Sequence, residues 1–178
     1  VEASFNVLYG TAAADQRTVP SKEFGDIGTL VEKGLIAEEA GRWRIHFAQR
    51  GGMSPLVTQA TDPAREIQLV LARLTILTRD NNVRPQDILV LTHSRERALE
   101  LADAIKRAKI EGVDGVHVAF KDRDSRLCPP RQVTVSTVHS AKGYDAFVVL
   151  LVSANEFKAD VTGRACFYVG CTRAVEYL

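Results

Sequence analysis

Residues able to do polar chemistry crowd into one stretch near the end of this 178-residue chain: Thr137, His139, Ser140 and Lys142, in the run VTVSTVHSAKGYD from Val133 to Asp145. The run begins as a strand, with Val133, Val135 and Val138 set among Thr and Ser. It breaks at His139-Ser140-Ala141-Lys142-Gly143, and the apolar segment Phe147–Val152 follows. A strand ending in a polar turn of hydroxyls, an imidazole and a glycine is how α/β proteins expose reactive groups at the carboxyl edge of a sheet.

The elements that must hold this turn are legible on either side. Asp62 followed by Pro63 predicts a helix start, and Ile67, Val70, Leu71, Leu74 and Leu77 recur on one helical face up to Asn81-Asn82. Ile88-Leu89-Val90-Leu91 is a continuous apolar run, as expected of a parallel strand covered on both faces. Ser94 opens a second helix with Leu99, Ala102, Ile105 and Ala108 facing inward. Gly112 and Gly115 lead into a strand over Val116–Phe120. Lys121–Arg131 reads as a solvated charged loop, and Asp160 or Thr162 starts a last helix that runs into Tyr168–Ala174. The chain then stops just inside a further strand. A short strand is also expected over Pro55–Gln59. The alternation predicts an α/β domain of RecA-like type, a mostly parallel sheet with helices on both faces, over residues 51–178.

Residues 1–50 read as a separate small segment, the tail of a preceding domain or a subdomain. Its readable parts are a helix face of Phe24, Ile27, Leu30 and Val31 stopped by Gly34, and a turn and strand over Leu35–Gln49 with Trp43, Ile45 and Phe47 on one side.

With 23 basic and 22 acidic residues, the net charge of +1 demands no polyanionic partner, so any nucleic-acid contact is local. Cys128, Cys166 and Cys171 make no CxxC pair and no zinc spacing, so they are read as reduced thiols of a cytoplasmic protein. No apolar run reaches the roughly 18 residues a bilayer requires, and VEASFNVLYG lacks the basic start and apolar core of a signal peptide.

Two motifs then combine. Thr137–Asp145, TVHSAKGYD, resembles motif V of the UvrD/Rep-type superfamily-1 helicases, and Tyr168–Ala174, YVGCTRA, resembles their motif VI. The resemblance covers Pro55–Leu178. It implies the second RecA-like domain of an ATP-dependent DNA helicase, moving 3′ to 5′ and serving in DNA repair. ATP and Mg2+ would be bound mainly by an upstream RecA-like domain of the same protein, and single-stranded DNA would cross both domains. In that scheme Arg173 is the arginine finger. A permanently cationic guanidinium stabilises charge spread over the γ-phosphate oxygens, worth about 10³–10⁵ in rate in comparable enzymes. Thr137, His139 and Ser140 match DNA-contacting positions. Gly143 allows close backbone approach to the nucleotide, and Asp145 stands where the family has a ribose-contacting Glu. For the family's motif IV arginine the sequence offers His93 or Arg95.

The chain carries no GxxxxGK[ST] and no Asp-Glu pair after an apolar strand. The phosphate cradle and magnesium carboxylate are therefore expected upstream, and this fragment alone should not hydrolyse ATP. Lys121–Arg131 leaves room for only a minimal insert where larger members carry an accessory domain. Two rival readings remain: a helicase-like nucleic-acid-binding module without catalysis, or the motor of a helicase–nuclease. The bland readings are a solvated turn lysine for Lys142, structural roles for His46 and His117, core packing for Trp43 and Phe47, a buried filler for Cys171 and a helix-surface role for Arg164.

Overall fold

The computed structural model describes residues 18–20, 31–32, 36–39, 42–45, 55–121 and 128–178. Contacts divide the chain into two units, residues 1–51 and 52–178. In the first, β1 (Thr18–Pro20), β2 (Ile36–Glu39) and β3 (Arg42–Ile45) form an antiparallel sheet of order β1-β3-β2. The expected single strand within Leu35–Gln49 is thus two short ones that pair with each other. Val31 and Glu32 are helical. The rest of the helix expected from Phe24, and the side chains of Trp43, Ile45, His46 and Phe47, lie outside the described residues, as does most of the Lys121–Arg131 loop.

The second unit is built on a five-stranded sheet of order β5-β6-β4-β7-β8, parallel throughout. Its strands are β4 (Ile88–Thr92), β5 (Gly115–Val118), β6 (Gln132–Thr137), β7 (Ala146–Leu151) and β8 (Ala174–Tyr177). Central β4 is buried along its whole length. A continuous apolar run is what such a strand needs, because both of its faces meet protein. Ile88 and Val90 join Val133, Val135 and Val148 against two helices, α1 (Pro63–Thr75) and α2 (Arg95–Ala108). Leu89 and Leu91 face the opposite way, against Val138, Ala141, Val149 and Cys166 of the layer that holds α3 (Val161–Cys171).

The helix starts follow local chemistry. The Asp62 carboxylate accepts from the Arg65 amide at 2.8 Å, with Pro63 in the first turn. Ser94 Oγ accepts from Arg97 N at 3.2 Å, and Asp160 accepts from Gly163 N at 2.7 Å. On α1 the predicted face holds, with Val70, Leu74 and Leu77 buried. That helix continues as a π turn over Ile76–Asp80 before Asn82 turns left-handed. On α2 the buried face is Ala98, Leu101, Ala102 and Ile105, whereas Ala108 is exposed. The chain leaves the helix through left-handed Lys109, and Ile110 takes up the packing. Pro55–Gln59 is no strand. Leu56 N donates to Leu178 O at 3.1 Å, but no ladder continues from that bond, and Leu56 and Val57 are exposed. An isolated extended segment without a ladder has nothing to hold it as a strand.

One polar cluster ties the helices to the sheet. Arg97, 7% exposed, pairs with Glu66 at 2.6 Å and Glu100 at 2.5 Å, and donates to Ser153 Oγ and Pro63 O. Glu66 accepts in turn from the Ser153 amide and hydroxyl, both at 2.8 Å. Ser153 is left-handed, φ 57°, just after β7. Partial burial pushes the Glu66 carboxyl upward, but hydrogen bonds from Arg97 and Ser153 outweigh it and hold the group below its usual value. A carboxyl depressed in the folded state adds stability that is present above its unfolded value and lost as pH falls through the folded one. We expect Arg97→Met to cost on the order of 3 kcal/mol in urea unfolding, because it strands a half-buried carboxylate. We also expect Glu66→Gln to flatten the loss of stability on acidification below the ordinary glutamate range. Identical acid profiles for Glu66→Gln and wild type would contradict the role given to this carboxyl.

Candidate functional site

The connection from Thr137 to Ala146 is a bare crossover without a regular helix, and it carries most of the candidate residues. Register places its two ends at opposite edges of the sheet. Thr137 lies level with Thr92 at the carboxyl end of β4, whereas Ala146 comes two residues before Val148, which is level with Ile88 at the start of β4. The separation is about one strand length, ~17–20 Å. Val138 and Ala141, each 1% exposed, pin the crossover to the sheet, and Val138 N donates to Thr92 O at 3.0 Å.

At the carboxyl edge the Thr137 hydroxyl braces the turn. It donates to Ser140 Oγ at 3.0 Å and accepts from Ser140 N at 3.2 Å, while Ala141 N donates to Thr137 O. Thr137 is 4% exposed, so this hydroxyl shapes the turn and does not face solvent. Ser140 is half-buried and His139 is exposed. His139 Nε2 lies 3.7 Å from Cys166 Sγ on α3. Lys142 points into solvent.

At the amino edge, Gly143 takes φ 91°, a left-handed conformation that favours glycine. The crossover then reaches Asp145, whose carboxylate lies 3.0 Å from Arg173 Nη1. Arg173 Nε donates to Val169 O at 3.2 Å, and Arg173 O accepts from Ala146 N at 2.9 Å. Asp145 is 62% exposed and Arg173 21%. An ion pair this wet is worth about 0–1 kcal/mol and can be exchanged for another anion. Guanidinium carries five N–H donors, so Nη1 and Nη2 keep capacity for a phosphate beside Asp145. α3 reaches this position by packing hard on the crossover. A Cβ at Gly170 would stand 3.1 Å from both Val138 and Leu151 side chains, so a larger residue there requires those side chains to give way by a few tenths of an ångström.

His93 and Arg95 are not brought to Arg173. Both follow the carboxyl end of β4, at the opposite edge. His93 packs edge-on against Phe157, with centroids 5.3 Å apart, and the Arg95 guanidinium sits 5.6 Å above the Phe120 ring. Beside them, a cleft of about 480 Å³ is lined by Asp62, Glu66, Glu96, Glu100 and Glu156 with Arg97 as its cation. Its charge disfavours phosphate. His117 and Cys171 are buried. Arg164 departs from a plain surface role, since its Nε is buried with no hydrogen-bond partner among the described residues. No three His, Cys, Asp or Glu converge as metal ligands among the described residues, and no helix there is long and apolar enough to cross a membrane.

Sequence reading missed three contacts: Asp145 with Arg173, Cys166 with His139, and the Arg97 cluster. The first two join crossover to helix across more than twenty residues, and no local spacing signals them. For Arg97, an arginine on the otherwise apolar side of α2, next to Ala98 and Leu101, was the available sign. We expect Thr137→Val to lose about 1–2 kcal/mol in thermal or urea unfolding, because Ser140 N and Oγ lose their partner. Thr137→Ser, which keeps the hydroxyl, should retain most of the stability, and a loss in Thr137→Ser with none in Thr137→Val would place the effect in the methyl group instead. Comparison with protein-family models and with curated proteins found no match for this chain.

Proposed function

We propose that this chain is the second motor domain of an ATP-dependent DNA helicase of the UvrD/Rep type. The reading is carried by one observation: the two segments that resemble motifs V and VI, distant in sequence, are packed against each other, with Asp145 on Arg173 and Gly170 close to Val138, and their flanks meet as well, with Ala146 N on Arg173 O and Cys166 beside His139. This layer holds a cation at one edge of the sheet and a turn of imidazole and hydroxyl at the other. A motor needs that separation, so that nucleotide and nucleic acid are held at once without competing. Arg173 and Gly143 are assigned to the nucleotide side, with Arg173 exchanging Asp145 for a γ-phosphate oxygen. His139 and the turn braced by Thr137 and Ser140 are assigned to the single-stranded DNA backbone. ATP supplies the phosphoryl group and its magnesium the counter-charge, both held chiefly by an upstream domain bearing the P-loop. Asp145 keeps Arg173 from collapsing elsewhere until phosphate arrives.

A second reading, a nucleic-acid-binding module without ATP turnover, is favoured by the engagement of Arg173 with Asp145, Val169 and Thr172 in the isolated domain. The two readings part in a protein that joins this chain to its P-loop half. There we expect Arg173→Ala to lower DNA-stimulated ATP turnover by about 10³-fold or more while oligonucleotide binding persists. Turnover close to wild type in that variant would remove the arginine-finger assignment. Binding with no turnover in any form would favour the module.

A further inference from the structure

His139 is exposed at the turn, yet one ring nitrogen is engaged from below. Its Nε2 lies 3.7 Å from Cys166 Sγ, within hydrogen-bonding reach for sulfur. Nδ1 makes no hydrogen bond with any described residue. Cys166 is 7% exposed on the face of α3 that packs with Leu89, Leu91, Val138 and Ala141. Helix packing through Gly170 fixes its position relative to the turn.

A neutral imidazole has one donor and one acceptor, and a partner on one nitrogen decides what the other presents. We propose that Cys166 is a positioning residue: its S–H donates to Nε2 of His139, so that the ring proton sits on Nδ1 and is offered to a phosphate oxygen of single-stranded nucleic acid. The opposite tautomer would present a lone pair to an oxygen that only accepts. Burial pushes the Cys166 thiol above its usual value, which keeps it protonated and therefore a donor at neutral pH. Because α3 leads through its C-cap Thr172 directly into Arg173, the residue that orients the nucleic-acid contact sits on the helix that precedes the nucleotide-side cation. The inference rests on the assignment of His139 to the nucleic-acid backbone, and its test separates the two.

The test compares the 178-residue chain with Cys166→Ser, which keeps a donor, and Cys166→Val, which keeps bulk without one. Two-bond nitrogen–proton NMR of the histidine rings, at a pH where imidazole is neutral, reads the tautomer directly. Fluorescence anisotropy with an oligothymidylate at low salt reads the contact. Wild type and Cys166→Ser should carry the proton on Nδ1. Cys166→Val should shift it toward Nε2 and weaken oligothymidylate binding by about tenfold, the scale of one hydrogen bond to a charged group. In a His139→Ala background the valine change should cost nothing further, which a merely structural role for Cys166 would not produce. An unchanged tautomer in Cys166→Val overturns the proposal, as does an equal loss of affinity with and without His139. A wild-type chain with the Nδ1 tautomer but no oligothymidylate binding upholds the positioning and overturns the nucleic-acid role instead.

Discussion

The constraint on which the second unit depends is that β4 must be satisfied on every side. It is paired with a parallel strand at both edges and covered on both faces. Water cannot reach its amides, so each must find a protein partner. The neighbours are drawn into register as a result. Val138 N closes on Thr92 O where β6 ends, and Val152 N closes on Leu91 O where β7 ends. Those two bonds set where the crossover leaves the sheet and where the left-handed Ser153 begins. Everything chemically interesting in the domain hangs from one or the other.

Two arginines show how environment decides what a charge is for. Arg97 is nearly sealed, holds two carboxylates and a serine, and joins α1, α2 and the end of β7. Breaking it leaves a buried charge without compensation, so it behaves as a fixed strut. Arg173 has a single, mostly exposed carboxylate partner and spare donors. Solvent screens that pair, so it can be traded for a stronger anion at little cost. The first arginine belongs to the architecture, and the second is suited to a ligand.

The crossover is economical for the same reason. It carries no regular helix, so its backbone is satisfied by short turns, by Thr137 acting on Ser140, and by α3 lying over it. A glycine on each partner makes this possible: Gly143 turns the chain back, and Gly170 lets the helix come close. Residues that are near neighbours in sequence, His139 and Asp145, thereby end at opposite edges of the sheet. Residues far apart in sequence, Asp145 and Arg173, end in contact.

Sequence alone determined the elements whose cause is local. The Asp62 and Ser94 caps, the face of α1, the fully buried β4 and the parallel character of the sheet all follow from side chains within a few residues of one another. The same locality explains the failures. Pro55–Gln59 has the composition of a strand but reaches the β8 side of the sheet through the Leu56 N bond to Leu178 O without forming a ladder, and Ala108 has the right spacing on a helix that the chain leaves one residue later. Pattern reading assigned Thr137 and His139 to DNA and placed Arg95 with Asp145 and Arg173 on the nucleotide side. Only tertiary structure decided that Thr137 is a buried brace, that Arg95 stands over Phe120 at the far edge, and that Asp145 holds Arg173. Those outcomes depend on strand order and register, which bring β4 between β6 and β7. No periodicity within a single segment encodes which strand will lie between two others.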